Sequence, residues 1–280
     1  MNGKPDPWRI PGETRQKKIP GTEFAGEIEA VDESVTSLKT GDKVCGFNDT
    51  GSGAHAQYMC IKEDNVIIIP DNTSYAQAAA SFEGAHYAYN FINKVDLKKG
   101  QNVLVNGATG AIGSATVQLL KYFDINVTAV CSTKNMSLVK SLGANRVIDY
   151  TKEDFTKDEL TYDFVFDTVG KSSFFKCKDI LRPGGIYISS DLGYMAQNIF
   201  LPLVTILIKP MIENKKTVFP YPTDIRGSLL LIKSLIEQNK FRAVIDREFS
   251  LEQIVEAYNY VEKGHKIGNI VITVEQENKT

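Results

Sequence analysis

Residues 102–113 read NVLVNGATGAIG, and this stretch decides the fold. Val103, Leu104 and Val105 form a short apolar run of the kind a buried strand uses. Gly107, Gly110 and Gly113 follow at three-residue spacing. From there Ile112, Ala115, Leu119, Leu120 and Phe123 fall at helical spacing. A strand, a glycine turn and a helix in that order form a pyrophosphate cradle. The glycines let the backbone approach the phosphates, and the helix start offers unbonded N–H groups and a positive dipole end. Each dipole contact contributes only about 0.3–1 kcal/mol, so several must act together. A second strand, NVTAVC at residues 126–131, completes a β-α-β unit. The alternative is a purely structural turn, since glycine turns also close ordinary strand–helix units; the strand before, the helix after and the second strand favour the cradle. The unit predicts dinucleotide binding.

The choice of dinucleotide turns on the end of the second strand. Units that bind NAD place an Asp or Glu about 20 residues past the glycines, where it accepts from the ribose 2′-hydroxyl. Here that point reads Cys131, Ser132, Thr133, Lys134, Asn135, with no carboxylate. Two hydroxyls and an ammonium suit a 2′-phosphate. A charge-assisted hydrogen bond contributes about 1.5–3 kcal/mol, roughly ten- to a hundredfold in affinity. The residues therefore favour NADPH. The bland reading of Lys134 is a solvated loop lysine; even so, the missing carboxylate argues against strict NAD use.

A length of 280 residues accommodates two domains, and 42% hydrophobic with 24% charged residues is a globular composition. A formal net charge of −2 gives no general attraction to nucleic acid. Arg15, Lys17 and Lys18, and the pair Lys215 and Lys216, read as solvated loop charges. The opening MNGKPDPWRIPG has no apolar signal core. The apolar stretch at residues 199–208 contains Pro202 and is too short to span a bilayer, which takes about 20 residues. It reads as a buried or interface helix. Cys45, Cys60, Cys131 and Cys177 show no CxxC spacing and read as small core residues in a reducing compartment, the cytoplasm.

Residues 20–72 carry EFAGEIEAV, DKVCGF, AQYMCI and NVIIIP, a β-rich piece with tight turns. From Tyr75 the pattern turns helical, through AQAAASFEGAHYAYNFI. Strands at 102–106, 126–131, 146–149, 163–167 and 185–190 then alternate with helices, as in a doubly wound parallel sheet. Residues 217–219 extend it, a helix follows at 225–238, and the tail reads strand, helix, strand.

These segments resemble the medium-chain dehydrogenase/reductase superfamily, in its zinc-less quinone oxidoreductase-like branch. The markers are IPGTEFAGEIEAV, SLKTGDKVCGF, LKKGQNVLVNGATGAIG, VTAVCSTKN, SLGANRVIDYTKEDF, FVFDTVG, LRPGGIYIS and GHKIGNIVITV. The resemblance implies an α/β fold: a Rossmann domain inserted into a GroES-like β-barrel domain, with the cofactor in the cleft between them. It implies domain bounds of 1–80 for the first GroES-like part, 81–240 for the Rossmann domain and 241–280 for the return. It also implies hydride transfer from NADPH to a quinone, enone or related carbonyl compound, often by a homodimer, with no nucleic-acid or membrane partner.

Carried over residue by residue, Thr109, Gly110, Ala111, Ile112 and Gly113 match the pyrophosphate loop. Ser132, Thr133 and Lys134 match the 2′-phosphate loop, and Tyr150 a tyrosine that helps bind the adenosine phosphate. Val169 and Gly170 match the loop beside the cofactor ribose, and Lys266, Gly268 and Asn269 the C-terminal cofactor turn. His86 falls where relatives often carry a threonine near the nicotinamide; the alternative is a structural histidine. Tyr150 alternatively caps its strand, and Asp167 alternatively fixes the next turn. No catalytic acid is assigned.

Two features depart from the family pattern. Zinc-dependent relatives carry a His in a GHE motif, where this chain has Gly21, Thr22 and Glu23. His55, His86 and His265 are far apart in sequence and unpaired with cysteines, which predicts no metal. Family members also have several strands before the PGTEFAG motif, so the chain reads as N-terminally shortened. That predicts an incomplete barrel with an exposed edge and an open, wetter substrate pocket. It also leaves a second functional reading, an NADPH-binding protein without turnover. A third reading, the short-chain dehydrogenases, needs a Tyr-x-x-x-Lys pair after the glycine loop. Tyr58 and Lys62, the one such pair, lie before it, which excludes that class.

Overall fold

A computed structural model describes residues 19–48, 53–191, 197–207 and 209–274. The β-rich opening forms β1 (Glu23–Glu27), β2 (Lys43–Phe47) and β3 (Val66–Ile68), an antiparallel sheet in the order β1-β2-β3. Val44, Cys45 and Phe47 of β2 are buried. Residues 56–61 (AQYMCI), read above as strand, are irregular. No described strand lies alongside to complete their backbone ladder, and side-chain alternation alone does not hold a strand.

The helical stretch after Tyr75 is two helices, α1 (Tyr75–Ala79) and α2 (Glu83–Ile92). Ser74 caps α1 by accepting from the Gln77 N–H at 3.2 Å. The break has a cause outside the segment: one carboxyl oxygen of Glu23 in β1 accepts from the backbone N–H groups of Phe82 and Glu83. An acceptor at that point satisfies the unbonded donors of a helix start.

The alternating region forms β4 (Asn102–Asn106), α3 (Ala111–Tyr122), β5 (Asn126–Cys131), α4 (Met136–Ser141), β6 (Arg146–Asp149), β7 (Tyr162–Asp167), α5 (Phe174–Cys177), β8 (Leu181–Ser189), α6 (Gln197–Leu207), β9 (Lys216–Val218) and α7 (Ile225–Glu237). Its six strands are all parallel, in the order β6-β5-β4-β7-β8-β9. Alternate strand residues enter opposite faces. Val103, Val105, Val127, Phe164 and Phe166 join α2, α3 and α7 in one core, which includes Phe91, Leu119 and Ile232. Leu104, Val130, Ile148, Val165 and Tyr187 join α5 in the other. Burial on both faces explains the unbroken apolar runs of these strands.

Strands β10 (Ile245–Ser250) and β11 (Asn269–Thr273) flank α8 (Ile254–Glu262) and pair in parallel. Ala243 and Val271 pack with Ala80, just past α1, so the tail returns to the first part of the chain. Among the described residues the β-rich part is two sheets, of three and two strands, and neither is a closed barrel.

Two further sequence readings differ from the structure. Cys45, Cys131 and Cys177 are buried, but Cys60 is exposed, because it lies on the irregular 56–61 segment. Of the buried and interface readings of helix α6, the structure excludes the first: Phe200, Leu203 and Ile206 are exposed and Leu207 is 82% exposed. It meets the sheet through Thr205, which accepts from the Thr217 N–H of β9, and through half-buried Leu201 against the Leu104 and Val165 core, while its outer face has no covering layer among the described residues.

Candidate active site

In this strand order the connection reverses direction between β4 and β7, and ligands bind such sheets outside the strand ends at that reversal. The glycine loop lies there. Gly107 has φ +82°, and a Cβ on it would come within 2.7 Å of Val169 Cβ. A Cβ on Gly113 would stand 2.1 Å from the Gly107 carbonyl oxygen. These two glycines close the turn. Gly110 differs: a Cβ there would meet only the Gly107 oxygen, at 3.9 Å. It is the N-cap of α3, and no side chain caps that helix. The first turn of α3 therefore points unbonded N–H groups at open space, a cradle that fits a pyrophosphate. Thr109, Ala111 and Ile112 complete the loop and are half-buried.

The C-terminal turn closes on this loop. The Gly268 N–H donates to the Thr109 carbonyl at 2.6 Å, and Gly268 bridges Gly110. Gly268 has φ +57°, and a Cβ there would strike the Val244 carbonyl at 2.1 Å. Lys266 donates to the Gly268 carbonyl at 2.6 Å, and burial pulls its pKa down. Asn269 spends its side-chain N–H groups on the Ala80 and Val244 carbonyls, at 3.1 and 3.2 Å. Gly268 thus closes on the glycine loop, with Lys266 bound to the same turn and Asn269 acting as a strut to Ala80 and Val244.

Ser132, Thr133, Lys134 and Tyr150 meet at the ends of β5 and β6, where the Tyr150 N–H donates to the Cys131 carbonyl at 3.1 Å. Lys134 is exposed and Tyr150 is 59% exposed. The Ser132 hydroxyl accepts from the Asn135 side chain at 3.2 Å, which leaves its own proton to donate. Thr133 donates to the carboxylate of Asp149.

Val169 and Gly170 follow β7, and their loop is built by Asp167. This carboxylate is fully buried. It accepts from Asn106 Nδ2 at 3.0 Å, Val169 N at 3.3 Å, Gly170 N at 3.0 Å, Ser172 N at 2.9 Å and the Tyr187 hydroxyl at 2.9 Å. Five donors on one carboxylate lock the loop against Gly107. Gly170, at φ +65°, lies where a Cβ would meet Asp191 at 2.3 Å.

His86 does not face this crevice. It is 1% exposed and tilts against Phe47, with Nδ1 2.9 Å from the Ser228 hydroxyl and Nε2 3.2 Å from Asn90 Nδ2. Both ring nitrogens are committed to α2 and α7, the arrangement of a core histidine, and no acid–base role is assigned to it.

The group that sequence reasoning missed borders the crevice from the β-rich side. Gly84 of α2 is packed so closely that a Cβ there would lie 3.2 Å from Ala111, the first residue of α3. The neighbouring Glu83 accepts from the Thr22 hydroxyl, and Glu23 caps the same helix start. Burial raises the Glu23 carboxyl to about 8 and pushes Glu83 up as well. Thr22, at the position read against the GHE histidine, is thus engaged with Glu83. Among the described residues no group of three His, Cys, Asp or Glu side chains could hold a metal ion, and no helix is long and apolar enough to cross a membrane.

Residues 4–71 match the alcohol dehydrogenase GroES-like domain, and residues 142–272 match a family described as zinc-binding dehydrogenase. The chain is 31% identical over 265 residues to a 2-methylene-furan-3-one reductase of Solanum lycopersicum; the match covers 91% of this chain and 63% of the relative. It is 30% identical to a chloroplastic quinone oxidoreductase of Triphysaria versicolor, over 91% of this chain and 79% of that protein. Among solved structures it resembles a quinone oxidoreductase from Coxiella burnetii, with a TM-score of 0.79 and 27% identity over 91% of this chain and 79% of the other. The chain belongs to the medium-chain dehydrogenase/reductase superfamily, in its zinc-less quinone oxidoreductase-like branch.

Proposed function

We propose that this protein is an oxidoreductase that binds NADPH and delivers hydride to a quinone, enone or related carbonyl compound without a metal. The observation that carries the reading is the open cradle at Gly110, closed from one side by Gly268 and continued by Ser132 and Lys134. Names of relatives that act on quinones and on a methylene-furanone point to the same substrate class. When bound, the nicotinamide supplies the hydride. The chain's own work is to hold and orient. The first turn of α3 holds the pyrophosphate. Ser132, Lys134 and Tyr150 receive the 2′-phosphate end. Val169 and Gly170, fixed by Asp167, border the ribose on the other side. An electron-poor carbon needs no Lewis acid to accept hydride, which agrees with the engagement of Thr22 by Glu83. The free cysteines suit a reducing compartment, and we assign the protein to the cytoplasm.

The test is the nicotinamide absorbance of an NADPH solution after adding protein with a simple quinone or an enone. Decay dependent on protein and acceptor supports the reading. Tight NADPH binding without decay supports the binding protein instead.

A further inference from the structure

The carboxylate missing from the end of β5 is supplied to the same turn by the next strand. Asp149, the last residue of β6, is 4% exposed. Its Oδ2 accepts from the Thr133 hydroxyl and lies 3.6 Å from Lys152 Nζ. Its Oδ1 accepts from the Thr151 hydroxyl at 2.7 Å and from the Thr151 N–H at 3.0 Å. An ionised carboxylate offers about four acceptor sites; Thr133 and Thr151 take three of them, and the Lys152 ammonium faces Oδ2 as an ion pair. The hydrogen bonds from Thr133 and Thr151 also hold the carboxyl below the usual range, so it is ionised at neutral pH.

A carboxylate with open lone pairs at this place would accept from a ribose 2′-hydroxyl and select NADH. Asp149 has both oxygens already engaged, Oδ1 by two donors and Oδ2 by Thr133 with Lys152 beside it. Its hold on Thr133 also changes the expected roles within the 2′-phosphate turn. Thr133 has one proton and gives it to Asp149, so its hydroxyl is not a donor to a phosphate. Ser132 keeps its proton, and Lys134 lies exposed beside it.

We propose that Asp149 is the positioning residue for cofactor choice: through Thr133 it fixes the 132–134 turn so that Ser132 and Lys134 meet the 2′-phosphate. The proposal rests on the NADPH reading above. Asp149 acts by geometry, and its charge works against the outcome, because a nearby anion repels a phosphate. That conflict makes the sign of the effect decisive.

The experiment measures dissociation constants for NADPH and NADH by fluorescence titration, at one ionic strength, for the wild type, Asp149→Asn, Thr133→Val and the double variant. Thr133→Val removes the strut without changing any charge and covers the case in which Asp149→Asn fails to fold. Each single variant is expected to weaken NADPH about tenfold and leave NADH within twofold. The double variant is expected to be no weaker than either single, as for two ends of one contact. Tighter or unchanged NADPH binding by Asp149→Asn would overturn the proposal, since charge would then outweigh positioning. Parallel losses for both cofactors would overturn it too, by reducing the contact to general scaffold. A wild type without NADPH preference would instead defeat the underlying reading before any variant is compared.

Discussion

At Gly110 an added methyl group would meet only the Gly107 carbonyl oxygen, 3.9 Å away. The backbone there, at φ −71° and ψ 175°, is open to any residue. Gly110→Ala should therefore fold normally. Alanine is a poorer N-cap than glycine, but it also narrows the unfolded ensemble; the two effects nearly cancel, leaving stability within about 0.5 kcal/mol. Binding should behave differently, because the methyl would fill the space the pyrophosphate needs. Losing one charge-assisted hydrogen bond costs about 1.5–3 kcal/mol, a ten- to hundredfold weaker Kd. Gly113→Ala is the internal contrast. Its methyl would sit 2.1 Å from the Gly107 oxygen and 2.9 Å from Ala108 Cα, both backbone atoms that cannot rotate away. Overpacking of that kind costs about 1–3 kcal/mol, and each kcal/mol lowers Tm by about 2–4 °C in a chain of this size class. Thermal melts and NADPH fluorescence titrations of the two variants separate the effects. If Gly110→Ala binds NADPH within twofold of wild type, the cradle is not where the pyrophosphate sits.

Further expectations are equally direct. Lys134→Ala should weaken NADPH ten- to a hundredfold and NADH less than twofold, read by the same titration. The Glu23 carboxyl is raised from 4.5 to about 8, first by burial, so between those values the folded chain holds a proton that the unfolded chain has released. Its contribution is complete below about pH 4.5 and is lost as pH rises toward 8, at about 1.4 kcal/mol per pH unit. Glu23→Gln should therefore gain on wild type as pH rises across that window in denaturant melts, and a constant difference would contradict the burial. Asp167→Ala strands five donors and should cost about 3–5 kcal/mol of stability; a loss under 1 kcal/mol would show that the loop holds itself. Dialysis against a strong chelator should leave both the melt and the acceptor-dependent NADPH oxidation unchanged.

What could be read from the sequence was what local chemistry controls. The run NVLVNGATGAIG announced strand, turn and helix because each part has its own short-range cause, and the apolar strands followed from burial on both sheet faces. The glycines did not reveal their separate duties. Gly107 and Gly113 are closed by neighbours and Gly110 opens outward, a distinction that exists only once Val169 and Gly268 are in place. The helix after Tyr75 read as continuous because its interruption comes from Glu23, some 60 residues earlier. Residues 56–61 alternate like a strand yet have no described partner to pair with. His86 looked available on a helix, but α7 brings Ser228 against it from across the fold. Asp149 was passed over for a similar reason: a spacing rule looks along one strand, and this carboxylate reaches the turn from the neighbouring one.

The central claim is that the crevice at Gly110, Ser132 and Lys134 holds NADPH for hydride transfer. Paired fluorescence titrations of the whole protein with NADPH and NADH test it most directly. The account predicts an NADPH dissociation constant at least tenfold lower than that for NADH. Equal affinities, or no binding of either, would contradict it.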